Sequence, residues 1–299
     1  MKYLYYPGCS LKSTGRAYEE SLLATFEAVG SPLTELEDWN CCGATAYMAV
    51  SELKAFALCA RNFALAERQN GAEPPQLVVP CAACYLGLVK AQKYLNDYPK
   101  IRDKVDKALA AAKMECQGRT QVRHPLDVLL KDVGQKTLAE KVVKPLKGLK
   151  VACYYGCQLV RPYAIFDDAH QPTTMDDLMK TMGAETIDWP LKTRCCGGSL
   201  TGTIQDVGLR LSHIILTEAV KRGCDVIATA CPLCQFNLEC YQKEMSHRFE
   251  EEIRVPVVYF TQLMGLAMGV EPKRLGMQRL FVPLDLNSIS ATKEVAAHV

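Results

Sequence analysis

The sequence predicts an α/β protein made of two pseudo-symmetric copies of one unit, each with a mainly parallel sheet and a cysteine site at the carboxyl ends of its strands. Three observations predict it. The same cysteine motifs recur in the same order in both halves of the 299 residues. Each half opens on a short apolar, strand-like run that leads into its first motif, and a second such run precedes its last. Amphipathic helical stretches fill the intervals, and strands alternating with helices favour parallel pairing.

The elements follow in chain order. Lys2 to Tyr6 reads as a strand running into Tyr5-Tyr6-Pro7-Gly8-Cys9-Ser10-Leu11. Ala17 to Val29 reads as a helix, with Leu22, Leu23, Phe26 and Val29 on its apolar face. Cys41-Cys42-Gly43 is followed by a helical stretch from Met48 to Arg68, a strand at Leu77 to Pro80 and Cys81-Ala82-Ala83-Cys84. The second half repeats this. A strand at Leu149 to Tyr155 enters Tyr154-Tyr155-Gly156-Cys157-Gln158-Leu159, and Cys195-Cys196-Gly197 comes next. A helix at Val207 to Lys221 and a strand at Val226 to Ala230 lead to Cys231-Pro232-Leu233-Cys234. The offsets between copies are 148, 154 and 150 residues, so the duplication holds with small loop insertions.

Residues 1–96 therefore form a first unit and 149–270 a second. The charged stretch 97–148 reads as a helical connector, and 271–299 as a tail with little periodicity. Its apolar residues between Arg274 and Asn287 make it a candidate interface, expected to pack on an electron-donating partner or across the chain's own halves. The longest uncharged apolar stretch, Val255 to Val270, holds Gln262 and is too short to span a bilayer. It reads as a strand followed by a core helix.

Net charge is +2, with no long block of like charge, so nucleic acid and anionic membrane are not expected partners. The first apolar run breaks at Pro7 and Gly8, short of a secretory signal, and the expected location is cytoplasmic. Fifteen cysteines in such a chain point to metal or redox chemistry.

The repeat settles which cysteines form a set. Cys153 and Cys157 both precede the second vicinal pair, but Cys157 alone matches Cys9 in its Gly-Cys-x-Leu context. The first set is Cys9, Cys41, Cys42, Cys81 and Cys84; the second is Cys157, Cys195, Cys196, Cys231 and Cys234. Cys59, Cys116, Cys153, Cys224 and Cys240 are left as small buried hydrophobes or accessory thiols. A structural zinc wants four tetrahedral ligands, often from two Cys-x-x-Cys pairs. Each half has one such pair, and neighbouring side chains on an extended chain diverge, so a vicinal pair suits several metals better than one. A thioredoxin-type dithiol at Cys231-Pro232-Leu233-Cys234 is a further reading, but it leaves the vicinal pairs and lone cysteines unexplained. An ordinary cubane takes four thiolates. Five per half imply an unusual iron–sulfur cluster, or one cysteine with another task.

These spacings, Cys-x31-CysCys-x38-Cys-x-x-Cys and Cys-x37-CysCys-x34-Cys-x-x-Cys, resemble the cysteine-rich CCG domain in tandem. The run Tyr155 to Pro162, the Val122-Arg123-His124-Pro125 bridge and the length are similar to the family of heterodisulfide reductase B-subunits. The resemblance covers the chain to about residue 285. It implies two noncubane [4Fe–4S] clusters, each held by one five-cysteine set, with a disulfide substrate cleaved between them. It also implies an electron donor in the same complex, a ferredoxin-like iron–sulfur protein that is itself fed by a flavoprotein. Tandem CCG subunits of fumarate reductase and of lactate- or glycolate-oxidising complexes are the alternative, as electron-transfer subunits. The additional Cys153 departs from the family pattern.

No flavin or nicotinamide fingerprint is present. The loop Gly197 to Gly202 lacks GxGxxG and reads as a loop whose N–H groups bond sulfur. Lys12, Arg16 and Arg161 follow the lone cysteines and are candidate substrate-binding cations, set against surface ion pairing. Arg194 abuts Cys195 and reads as a charge-tuning neighbour. The five histidines lie outside the cysteine pattern and are expected to be structural.

Overall fold

Each half builds its own four-stranded parallel sheet, and the two sheets share one topology. The computed structural model describes residues 2–44 and 46–286. Strands β1 (Tyr3–Tyr5), β2 (Leu33–Glu35), β3 (Gln76–Val78) and β4 (Gln121–Arg123) run in the order β2-β1-β3-β4. Strands β5 (Lys150–Tyr154), β6 (Glu185–Thr186), β7 (Val226–Thr229) and β8 (Val257–Tyr259) run in the order β6-β5-β7-β8. All pairings are parallel. Strands β1 and β7 are buried end to end, and β3 and β5 are buried after their first residues, Gln76 and Lys150.

The first half carries helices α1 (Gly8–Leu11), α2 (Arg16–Ala28), α3 (Ala46–Val50), α4 (Glu52–Asn70), α5 (Ala82–Asp97), α6 (Pro99–Ala111), α7 (Pro125–Val128) and α8 (Gln135–Glu140). The second carries α9 (Thr174–Thr181), α10 (Gln205–Lys221), α11 (Pro232–Glu239), α12 (Gln242–Phe249) and α13 (Phe260–Ala267). The helix expected from Met48 to Arg68 is two helices, because Ser51 takes an extended conformation at φ −160° and ψ 100°. Val255 to Val270 folds as expected, β8 running directly into the buried α13.

Residues 97–148 are not purely a helical connector. They hold β4, which pairs with β3 and completes the first sheet. Gln121-Val122-Arg123 carries a single apolar residue, so neither period nor hydrophobicity marked it as a strand.

The halves interlock. Helix α2 of the first packs on α13 of the second, where Ser21 Oγ and Thr261 Oγ1 lie 2.6 Å apart and Thr25 Oγ1 donates to Thr261 O at 3.0 Å. Tyr18 stacks on Tyr259 with centroids 4.4 Å apart and 6° between planes. His124 stacks on Phe166 at 5.7 Å and 3°. Such pairs add about 0.5–1.5 kcal/mol beyond their buried area.

The C-terminal segment straps both halves. Leu275 is fully buried against Gly265 of α13. Arg274 and Arg279 pair with Glu27 and Glu20 of α2 at 2.6 and 2.8 Å. The Val282 N–H reaches Glu239 of α11 at 3.2 Å. Residues 287–299, with His298 and the end of the expected interface, lie outside the described residues.

Candidate functional site

Each cysteine motif of the two sets sits in the segment that follows the carboxyl end of a strand. Cys9 and Cys157 follow β1 and β5, the vicinal pairs follow β2 and β6, and the Cys-x-x-Cys turns follow β3 and β7. Open α/β sheets place their sites along this edge. Cys81 and Cys231 are the extended residues that start α5 and α11, so Cys84 and Cys234 fall within the first helical turn. Pro232 at the first position of α11 is preorganised for that entry.

Two glycines make room for sulfur. Gly8 has φ +63°, and a Cβ there would lie 2.9 Å from Cys84 Sγ. Gly156 has φ +69°, and its Cβ would lie 3.0 Å from Cys234 Sγ. A matched pair of tyrosines pins the vicinal pairs. Tyr6 OH donates to Asn40 O at 2.8 Å, and Tyr154 OH donates to Arg194 O at 2.5 Å. In both cases the acceptor is the residue just before the CysCys. Sequence reasoning passed over these braces, yet each tyrosine stands three residues before its lone cysteine.

The thiols of the second set touch in sequence. Cys196 and Cys234 sulfurs are 3.6 Å apart. Gly197 N–H donates to Cys195 Sγ at 3.4 Å, and Asn237 Nδ2 to Cys196 Sγ at 3.5 Å. The Cys195 thiol is held down to about 6, first by donation from Cys157, then by the Gly197 N–H and the Arg161 and Arg194 charges. In the first set, Gly43 N–H lies 3.5 Å from Cys41 Sγ. Donation from Cys41, then from Cys84, pulls the Cys42 thiol well below its ordinary value. Polarised, donor-rich thiols of this kind bind as thiolates. All fifteen cysteines are free. Among the described residues no group of three or more His, Cys, Asp or Glu is arranged to hold a single metal ion.

A cavity of about 260 Å³ opens at the second set and is lined by all five of its cysteines, with Gly156, Gly197 and Gly198 among its walls. Ala82, inside the first half's Cys-x-x-Cys, forms part of the same wall. The donor chemistry and the glycine-cleared space fit a soft, multi-sulfur group.

The other candidates sort clearly. Cys153 is a fully buried β5 residue at the position of Tyr5, and burial pushes its thiol up. Cys59, also fully buried, donates to Cys42 O at 3.3 Å. Lys12 is held by Glu19 and Glu35 at 2.5 and 2.7 Å. Arg161 donates to Thr193 O, bracing the loop before Cys195. Arg16 keeps its side chain 63% exposed, with Glu20 at 3.2 Å. His124 is bound on both ring nitrogens, to Pro80 O and the Leu126 N–H, each at 3.2 Å.

A duplicated α/β fold with five thiols gathered at each sheet's carboxyl edge defines a tandem cysteine-site protein of the redox class. Residues 3–89 and 151–239 both match the family model of the CCG cysteine-rich domain. The chain belongs to that family, carrying its domain twice. It is 33% identical over 98% of both chains to a Wolinella succinogenes protein named 8-methylmenaquinol:fumarate reductase membrane anchor subunit. It is 28% identical, over 91% of both chains, to the B-subunit of the ferredoxin:CoB-CoM heterodisulfide reductase of Methanosarcina mazei. In fold it is similar to a hypothetical protein from Helicobacter pylori, with TM-score 0.74 and 14% identity over 94% of this chain and 52% of that one. These relatives support an oxidoreductase role in a multi-subunit complex. Among the described residues no helix is long and apolar enough to cross a membrane.

Proposed function

We propose that the chain is the disulfide-reducing iron–sulfur subunit of a heterodisulfide reductase-like complex. Cys9, Cys41, Cys42, Cys81 and Cys84 would hold one noncubane [4Fe–4S] cluster, and Cys157, Cys195, Cys196, Cys231 and Cys234 the other. The observation that carries this reading is the cavity lined by all five cysteines of the second set and by Ala82 of the first half's Cys-x-x-Cys. It supports two sites that adjoin one another.

Bound there, the clusters would supply single electrons and soft iron for thiolate sulfur. The chain's own residues do the rest. Gly8 and Gly156 leave space beside Cys84 and Cys234. Tyr6 and Tyr154 hold the vicinal pairs at the strand ends. Arg161 and Arg194 offset negative charge at Cys195. Arg16, at the start of α2, is best placed of the three cations to meet an acidic disulfide, since Gly15 packs on Pro232 of the second site. Electrons would come from two partners in the same cytoplasmic complex, a ferredoxin-like iron–sulfur protein and the flavoprotein that feeds it.

A second reading has its own support. The 33% identity to the fumarate reductase subunit spans 98% of the chain. In that reading the chain relays electrons within a quinol-linked reductase and docks on a membrane through other subunits.

Anaerobic protein assayed with an artificial one-electron donor separates the readings. Iron near eight per chain is expected if each set holds four. Disulfide reduction should vanish in both Cys42→Ala and Cys196→Ala, because groups acting as one unit are non-additive. Stoichiometric zinc without sulfide would refute the cluster assignment. Activity with a menaquinol analogue, and none with any disulfide, would favour the relay.

A further inference from the structure

The stacks that join the halves are one place where the duplication departs from itself. Tyr18 stands nine residues after Cys9, and Phe166 nine after Cys157. Arg123 pairs with Val78 and Val258 with Ala228, each partner three residues before its Cys-x-x-Cys. His124 and Tyr259, the next residues, are therefore equivalent. One stack is Phe166 on His124, and the other is Tyr18 on Tyr259.

The two stacks differ in free donors. Both nitrogens of His124 are engaged by backbone, and phenylalanine has no donor. Tyr259 OH donates to Gln235 Oε1 at 3.4 Å. Tyr18 OH is fully buried and has no hydrogen-bond partner among the described residues. A buried orphan hydroxyl is rare and calls for an acceptor. After burial and the ring of Tyr259, the groups that raise the Tyr18 pKa are Cys231 and Cys81, one from each set. The α2 start that carries Tyr18 also lies against the second site, since a Cβ on Gly15 would be 3.0 Å from Pro232 Cβ.

We propose that Tyr18 donates its O–H to sulfur on the Cys231 side of the second site, while Phe166, its counterpart beside the first, has no hydroxyl to give, so that this contact shifts the reduction potential of the second site alone. Tyr18 is a positioning and tuning residue in this scheme, shielded from substrate. The inference rests on the iron–sulfur reading. A donor to sulfur favours the more negative, reduced state and raises the potential. Losing it should change the oxidised-to-reduced ratio about tenfold at fixed potential, which is about 59 mV for one electron.

The test is an anaerobic redox titration followed by EPR on the full, cluster-loaded chain. Iron and sulfide are measured first, and Cys157→Ser identifies the second site's signal. Tyr18→Phe keeps the ring and its stack. The expected result is a lower midpoint for the second site, an unmoved first site and an unchanged thermal transition. Two unmoved midpoints, or both displaced equally, would overturn the proposal. Wild-type protein lacking iron and sulfide would overturn the cluster reading and this inference with it, and the metal analysis tells the two failures apart.

Discussion

Substituting Gly156 by alanine tests whether the turn before Cys157 is shaped around sulfur. Gly156 and Gly30 share a left-handed backbone, φ +69° and +77°. Alanine at such an angle costs roughly 1–2 kcal/mol, a fall in Tm of about 2–3 °C at about 2.1 cal/mol/K of unfolding entropy per residue over 299 residues. At Gly30 nothing lies within 4 Å of the added methyl, so the backbone term stands alone. At Gly156 the methyl meets Cys234 Sγ at 3.0 Å, too close for ordinary carbon–sulfur contact. Cys234 has little room to retreat, since it is buried and touches Cys196 at 3.6 Å. Gly30→Ala should lose stability and keep all its iron. Gly156→Ala should lose more stability, and the iron of the second site with it. Scanning calorimetry and iron analysis on anaerobic protein measure both. Equal Tm and equal iron in the two variants would refute the claim that this glycine is required by the sulfur.

Three further outcomes are expected. Cys157→Ser should abolish the second site's EPR signal, while Cys153→Ser should leave it, because Cys153 is sealed inside β5. Leu275→Ala should lower stability by about 2–5 kcal/mol in urea unfolding, as a fully buried leucine on the strap; a loss under 1 kcal/mol, about the size of a surface change, would mean the strap is loosely held. Glu239, buried in α11, has its carboxyl raised from 4.5 to about 7, first by burial. Its folded pKa exceeds the unfolded one, so its contribution is complete below pH 4.5 and is lost as pH rises through about 7. Glu239→Gln should flatten the stability profile across that window, and a wild-type profile already flat there would count against it.

The cysteine sets were legible because their spacing is repeated, and repetition separates Cys157 from Cys153 without any geometry. The strands that carry them were legible as apolar runs ending at a motif. β4 was not, since Gln121 and Arg123 are polar and the pairing with Gln76 and Val78 is a tertiary fact. The break at Ser51 was also hidden, because a helical pattern continues through it. Of the three candidate cations, sequence adjacency to a lone cysteine could not tell which would find a carboxylate. Lys12 found two, from α2 and β2, elements that only folding brings beside it. The tyrosine braces were within reach, since Tyr6 and Tyr154 keep one offset from their cysteines.

The crossed stacks bear on why the two units share a chain. In a homodimer of one such unit, a twofold axis would force the same residue pair into both stacks. Whatever was gained by one hydroxyl would be imposed on both halves alike. Joined covalently, the copies are released from that axis. One contact can become Tyr18 on Tyr259 while its mirror becomes Phe166 on His124, with the architecture unchanged. Fusion here does more than keep partners together: it permits broken symmetry at the seam.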